Sequence, residues 1–206
     1  MHMGLHAGWA IEGAVGSEFK IDASYISPNV SIAESVAYAS EHYSLSLLVS
    51  ETVVSHCHKD CRVYCRAIDR VLIPGSKEPM ELYCVDLYPS NLEDDDASDA
   101  CPRIRWNAQQ RFRVRQFLEV ERKKKADVNF QPSQLFRTDP MLVRMQMPDI
   151  EKFQQVFKMG YKNYLEGEWL TAGTFLIRTW TDWGVEDGPS EALLRLVEAH
   201  KFAAPE

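Results

Sequence analysis

The chain has 206 residues, 45% hydrophobic and 26% charged, a balance that excludes wholesale disorder, collagen and coiled-coil fibre. Its formal net charge of −7 argues against a nucleic-acid partner. No apolar run approaches the roughly 20 residues that span a bilayer, and the first residues lack the pattern of a secretory signal. Because its five cysteines are irregularly spaced, we expect reduced thiols in an intracellular, soluble protein.

Residues 1–88 are predicted to form an α/β domain with the element order ββαβ(α)ββ. Strands at 5–14 and 19–25 are expected to form a hairpin that turns at Gly16-Ser17. Ser27-Pro28 is typical of a helix start, with a hydroxyl cap before proline. That helix is expected to bury Val30, Ala33, Val36, Ala37 and Ser40. A short helix or turn is predicted at 50–52, and further strands are predicted at 45–49, 64–73 and 80–88.

Residues 89–147 are predicted to be a polar linker with two charge blocks. The first block, the acidic knot, comprises Glu93, Asp94, Asp95, Asp96 and Asp99. The second is a basic helix at 103–125, in which nine arginines and lysines alternate with Trp106, Phe112 and Phe117. Such a helix can bind RNA or anionic lipid, contact an acidic protein, or lie against the acidic knot. Protein contact or simple solvation is the favoured interpretation.

Residues 148–206 have helical periodicity, which predicts three helices. The first ends at Gly167, the second begins at Trp169 and the third opens at Pro189. The first two are expected to form a tight antiparallel hairpin resembling about one and a half tetratricopeptide repeats, a type of module that binds other proteins. The tryptophans Trp169, Trp180 and Trp183 are expected in its core, and Tyr161 and Trp169 at its interface.

Three N-terminal motifs resemble the C-terminal half of a class III adenylate/guanylate cyclase catalytic domain of the protist and algal type. They are Gly4-Leu5-His6-Ala7-Gly8, Glu12-Gly13-Ala14-Val15-Gly16 and Lys20-Ile21-Asp22-Ala23-Ser24-Tyr25. The resemblance covers about residues 3–88, and segments like 161–169 and 187–190 often follow in such proteins. It implies a partial ferredoxin-like sandwich that works as a head-to-tail dimer, with Gly8, Gly13 and Gly16 shaping a hairpin at the dimer interface.

The resemblance also assigns positions in the nucleotide site. Asp22 falls where adenylate-selective members accept a hydrogen bond from the purine. The family's asparagine and arginine positions are occupied by Ser31 and Ser35, or by Asn29 and Ala33 if the register slips by two. The arginine is absent in both registers, and a serine supplies neither a permanent cation nor a forked donor. Losing one such electrostatic group typically lowers the rate by ~10²–10³.

No metal is expected in this chain. The family's two metal-binding aspartates belong to an N-terminal half that the resemblance does not cover, and we expect a fragment of a longer protein rather than a truncated relative. Mg²⁺ or Mn²⁺ with ATP or GTP is implied only for an active cyclase. His56-Cys57-His58 with Cys61 and Cys65 suggests zinc, but ligands adjacent in sequence have poor geometry.

The resemblance therefore implies a catalytically degenerate cyclase-homology protein, inactive as this chain alone, that acts as a structural or regulatory subunit. Its expected partners are proteins, including another cyclase-type domain. Membrane contact is expected only through a partner or a further segment, at the cytoplasmic face of a membrane or in a cilium. Two alternatives stay open. The chain is the C-terminal part of an active cyclase dimer, or it is a non-catalytic purine-nucleotide sensor.

Overall fold

The structure is a computed structural model that describes residues 2–17, 20–74, 76–92 and 106–205. The acidic knot, Arg103 and Arg105 lie outside these residues. The chain divides into two compact units. Unit 1 comprises Met1–Asp86 and Pro148–Glu206, and unit 2 comprises Leu87–Met147. None of the described helices is long and apolar enough to cross a membrane.

Unit 1 is built on a mixed four-stranded sheet, which confirms the predicted mixed α/β class. The strands are β1 (Met3–Leu5), β4 (Leu47–Ser50), β5 (Cys65–Val71) and β6 (Met80–Val85), in the spatial order β1-β4-β6-β5. β1 and β4 are parallel, whereas β6 is antiparallel to both β4 and β5. Two short helices, α2 (Glu51–His56) and α3 (Lys59–Arg62), follow β4, and α2 confirms the element predicted at 50–52.

The β2–β3 hairpin is a separate two-stranded sheet, formed by β2 (Ile11–Ser17) and β3 (Lys20–Ile26). A hairpin was predicted here, but its turn was placed wrongly, because Ser17 still pairs with Lys20. The strand predicted at 5–14 is in fact divided between β1 and β2. Between the two strands, residues 6–10 belong to neither sheet, and the His6 imidazole Nδ1 lies 2.9 Å from Ser50 Oγ.

Helix α1 (Pro28–His42) begins as predicted, with the Ser27 hydroxyl accepting a hydrogen bond from the Asn29 N–H. It buries Ile32, Val36 and Ser40, so Val36 and Ser40 are confirmed. Val30 is 46% exposed and was wrongly predicted as buried, because the inward stripe runs through positions i, i+4 and i+8 from Ile32. The helix packs tightly on β1, since a Cβ at Gly4 would lie 2.4 Å from the Ala37 nitrogen.

The three C-terminal helices confirm the predicted periodicity. They are α7 (Ile150–Leu165), α8 (Trp169–Trp183) and α9 (Gly188–Ala199). Gly167 between the first two has a φ of 83°, a left-handed conformation that glycine adopts without strain. A Cβ at Gly160 would meet Leu176 at 3.1 Å, so the small residue permits the close approach of α7 and α8.

One hydrophobic core joins α1, the sheet and the C-terminal helices of unit 1. Val36 of α1, Leu48, Ile68 and Leu82 of the sheet, and Phe157, Leu176 and Leu193 of the C-terminal helices belong to the same buried cluster. Along β6 buried and half-buried residues alternate, and the buried ones, Met80, Leu82 and Cys84, belong to this cluster. The C-terminal helices, which sequence analysis treated as a module of their own, therefore share the core of the N-terminal sheet.

Unit 2 contains the long helix α4 (Ala108–Lys125) and two short helices, α5 (Leu135–Thr138) and α6 (Pro140–Met145). Short 3₁₀ turns lie at Pro89–Asn91 and Pro132–Gln134. α4 begins with a reciprocal capping box, in which the Asn107 side chain accepts from the Gln110 N–H and the Gln110 side chain accepts from the Asn107 N–H. None of its residues is buried.

Candidate functional site: the exposed β2–β3 hairpin

The β2–β3 hairpin presents apolar side chains on both of its faces. Residues opposite each other across the two strands share a face, and the register pairs Ile11 with Ile26 and Val15 with Asp22. The other face carries Tyr25 and Ile21. Every described residue of the two strands is exposed except Ser24, which is half-buried.

The hairpin brings several highly exposed apolar side chains together in one element. Ile21 is 73% exposed and Ile26 66% exposed. An isolated two-stranded hairpin is at best marginally stable in water, and contiguous exposed apolar surface commonly marks an interaction site. The hairpin is therefore the candidate functional surface of unit 1.

The base of the hairpin is held firmly by hydrogen bonds. The backbone carbonyl of Trp9 accepts from the Ser27 hydroxyl at 2.5 Å and from the Asn29 side-chain amide at 2.8 Å. Gly8 is required here, because a Cβ at this position would lie 2.3 Å from the Asn29 side chain. The hairpin is thus fixed to the N-terminus of α1 at one end.

A polar cluster centred on His6 lies next to this base. His6 Nε2 lies 3.1 Å from Asn29 Oδ1, and its Nδ1 lies 2.9 Å from Ser50 Oγ and 3.1 Å from Thr52 Oγ1. Because the Asn29 amide nitrogen donates to Trp9, its oxygen faces His6, which places the imidazole proton on Nε2. Ser50 is fully buried, so its hydroxyl is not accessible as a nucleophile. The His6–Ser50 pair instead holds the side chains at the hairpin base in place.

Sequence reasoning did not identify this cluster. It forms because β1 and β4 are adjacent and parallel, which brings His6, directly after β1, next to Ser50, the last residue of β4. The available signal was two polar residues at the carboxyl ends of two apolar strands.

The positions assigned to the family's asparagine and arginine do not form a cationic site. Ser31 is exposed on the first turn of α1, and the half-buried Ser35 donates to the Pro74 carbonyl at 3.4 Å. In the alternative register, Asn29 is engaged at the hairpin base. Ala33 is the other residue of that register, and its carbonyl would lie 2.7 Å from a Cβ at Gly4, so it faces β1.

Asp22, the predicted purine reader, lies on the hairpin surface. Its carboxylate pairs with the Lys20 ammonium at 2.9 Å, with both side chains largely exposed. Such surface pairs contribute about 0–1 kcal/mol. Asp22 is therefore placed as a solvated strand carboxylate beside Val15.

The two remaining glycines of the predicted interface differ in their surroundings. A Cβ at Gly16 would lie 2.0 Å from the Lys20 carbonyl oxygen, so the close approach of the two strands requires glycine. At Gly13 nothing lies within 4 Å, and the position faces open space between Ile11 and Val15.

The aromatic residues assigned to the helical interface lie in the core of the chain. Tyr161 is buried and stacks with Tyr164, which in turn stacks with the buried Trp169. Trp180 was wrongly predicted to be in the core. It is 61% exposed, because the inward stripe of α8 passes through the neighbouring Thr179 and reaches the half-buried Trp183.

A buried ion cluster, centred on Arg66, joins the sheet to α9. Arg66 Nε donates to both Asp86 oxygens at 2.9 and 3.1 Å, and its Nη1 and Nη2 donate to Asp187 at 3.1 and 2.6 Å. The guanidinium also lies 4.2 Å from the ring centroid of Phe157 and 5.0 Å from that of Phe153. This cluster was also not identified from the sequence.

Asp187 has a second role as the N-cap of α9, where it accepts from the Ser190 N–H at 3.0 Å and the Ser190 hydroxyl at 2.6 Å. Burial alone would raise its pKa. The charge and hydrogen bonds of Arg66 and Ser190 outweigh burial and lower the pKa of Asp187 below its usual value. The carboxylate is therefore held ionised inside the protein.

The histidine–cysteine segment after β4 does not assemble a metal centre in the described part of the chain, where no three His, Cys, Asp or Glu side chains are placed to hold an ion. Cys57, Cys61 and Cys65 are free thiols. Burial, with the proximity of Cys57 and Cys61, raises the pKa of Cys65 to about 11. Cys65 is therefore a protonated, unreactive thiol at neutral pH.

No family model matches the chain, and neither a curated protein nor a solved structure is significantly similar to it. The cyclase resemblance described from the sequence motifs therefore stays a prediction.

Proposed function

We propose that this chain is a non-catalytic protein of the cyclase-homology type, built on a partial ferredoxin-like sandwich, that acts as a structural or regulatory subunit. It binds a domain of its own kind through the β2–β3 hairpin. The simplest such partner is a second copy of the chain, so the proposal is tested first as the formation of a homodimer.

The exposed hairpin carries the proposal. Burying apolar side chains such as Ile11, Ile21, Tyr25 and Ile26 contributes about 25 cal/mol for each Å² removed from water. The hydrogen-bonded base fixes the orientation of the strands before a partner arrives, which reduces the ordering cost of association.

The absence of catalysis is supported by Ser31 and Ser35. Cyclase-type catalysis needs a cation to stabilise the charge that develops on the phosphate in the transition state. A serine hydroxyl cannot supply that charge, and the Ser35 hydroxyl is already engaged with the Pro74 carbonyl.

Sedimentation equilibrium of the purified chain tests the association. We expect a reversible dimer at micromolar concentrations, and we expect Ile21→Asp to be monomeric, because a carboxylate buried in the interface would lose its hydration. Leu72→Asp is the matched control. It changes a 65% exposed aliphatic residue of unit 1 that lies outside the hairpin, and it should dimerise like the wild type.

A wild-type chain that stays monomeric across that range would contradict the proposed contact, as would an Ile21→Asp variant that dimerises normally. An assay for cyclic AMP and cyclic GMP with Mn²⁺ and ATP or GTP tests the second half of the proposal. We expect no product, and product formed by the purified chain would overturn the non-catalytic assignment.

A further inference from the structure

Helix α4 of unit 2 is exposed along most of its surface. It is 18 residues long, none of its residues is buried, and only Val114 and Glu121 are half-buried. Most helices in folded proteins are stabilised by packing one face against a core, so a helix exposed along its whole length is unusual.

The charge of α4 is strongly positive. It contains seven arginines and lysines against two glutamates, a net of +5. Its one ion pair within the described residues is internal, from Lys124 to Glu121 at 2.8 Å. The guanidinium groups of Arg113, Arg115 and Arg122 make no ion pair with any described residue. The partner that this helix fits is therefore acidic.

The apolar side chains of α4 surround the helix instead of forming one stripe. Phe112, Phe117 and Leu118 are 59%, 64% and 59% exposed. At 3.6 residues per turn they project at intervals of roughly 140°, 100° and 120° around the axis. A membrane surface or a flat protein face can contact only one or two of these directions, because interfacial helices need a one-sided apolar face.

The helix is formed before a partner binds. Its capping box satisfies two backbone N–H groups. The four cationic residues of its last turn interact favourably with the partial negative charge at the C-terminal end of the helix dipole. Arg111 Nε also donates to the carbonyl of Trp106, the residue before the N-cap, at 3.1 Å, which fixes Trp106 against the first turn of the helix. Preformation lowers the entropy lost on binding.

We propose that α4 is the target helix of an acidic protein that encloses it, so that apolar side chains on several sides of the helix become buried. Calcium-loaded calmodulin, an acidic helix-binding protein, is the probe for a partner of this class. Enclosure accounts for the three-sided distribution of Phe112, Phe117 and Leu118, and the acidic surface of such a partner matches the net charge of the helix.

Titration of the full chain with calcium-loaded calmodulin, followed by calorimetry, tests this proposal. We expect binding with a micromolar or tighter Kd that disappears when EDTA removes calcium. Phe112→Ala and Phe117→Ala should each weaken binding at least tenfold. The control Val128→Ala, at a fully exposed position just after the helix, should leave the Kd unchanged.

Vesicles of phosphatidylserine and a polyuridine RNA test the competing anionic partners at the same salt concentration. The proposal is overturned if calcium-loaded calmodulin does not bind. It is also overturned if the phenylalanine variants bind calmodulin as tightly as the wild type, or if vesicles or RNA bind more tightly than calmodulin does.

Discussion

Replacing Arg66 with methionine should destabilise unit 1 more than any surface substitution. Arg66 is 6% exposed and donates to Asp86 and Asp187, which are also buried. Methionine fills a similar volume beside Phe153 and Phe157, so the substitution removes the positive charge and its hydrogen bonds while retaining most of the packing.

The magnitude follows from what remains after the change. Asp86 retains hydrogen bonds from the Gln154 amide at 2.8 Å and the Cys84 thiol at 3.3 Å, and Asp187 retains those from Ser190. The two buried carboxylates nevertheless lose their shared cation. Removing one partner of a buried ion pair typically destabilises a protein by about 3–5 kcal/mol. We expect a loss in this range for Arg66→Met.

Urea unfolding at pH 7, monitored by tryptophan fluorescence, measures this loss. Arg66→Lys is the matched control, because it preserves the charge without the planar fork and should lose less stability than Arg66→Met. The triple variant Arg66→Met, Asp86→Asn, Asp187→Asn should recover part of the loss, since the unpaired charges are gone. A loss below about 1 kcal/mol for Arg66→Met would refute the reasoning from uncompensated buried charge.

Three further predictions follow from single residues. Because the pKa of Asp187 is lowered in the folded state, its stabilising effect is present above about pH 4 and lost below it, so Asp187→Asn should flatten the acid side of the pH–stability curve. Cys65 should react with iodoacetamide much more slowly at pH 7.5 in the folded chain than in urea, as measured by mass spectrometry, because its pKa is raised to about 11. Gly188→Ala places a Cβ 1.9 Å from the Tyr43 carbonyl oxygen and should lower the unfolding free energy by about 1–3 kcal/mol, whereas Gly13→Ala, in open space, should change it little.

The helices of unit 1 could be predicted from the sequence because their signals are local. Ser27-Pro28 specifies the start of α1, and the apolar spacing and Gly167 specify α7 and its end. Val30 and Trp180 were misplaced, because periodicity predicts that a helix has a buried face more reliably than it predicts which residues lie on that face.

The buried clusters could not be predicted because their partners are distant in sequence. Arg66 and Asp187 are separated by 121 positions, and His6 and Ser50 by 44. In the sequence alone, Arg66 is a charged residue in a predicted strand and Asp187 is a residue before a predicted helix, and nothing indicates that they form a pair. Only the fold shows that the cap of α9 reaches the sheet.

The same limit explains why the C-terminal helices looked like a module of their own. Their repeat-like spacing indicates a helical hairpin, but it does not show what covers the apolar face of that hairpin. Phe157, Leu176 and Leu193 pack with the sheet residues Leu48 and Ile68 instead of against further repeats.

Amide hydrogen exchange of the wild-type chain at low and high protein concentration tests the role of the hairpin most directly. If the β2–β3 hairpin is the contact surface, exchange in peptides covering residues 11–26 should slow as concentration rises, while exchange in α1, whose backbone is outside the contact, stays constant. Unchanged exchange in the hairpin at concentrations where the chain is dimeric would contradict the account.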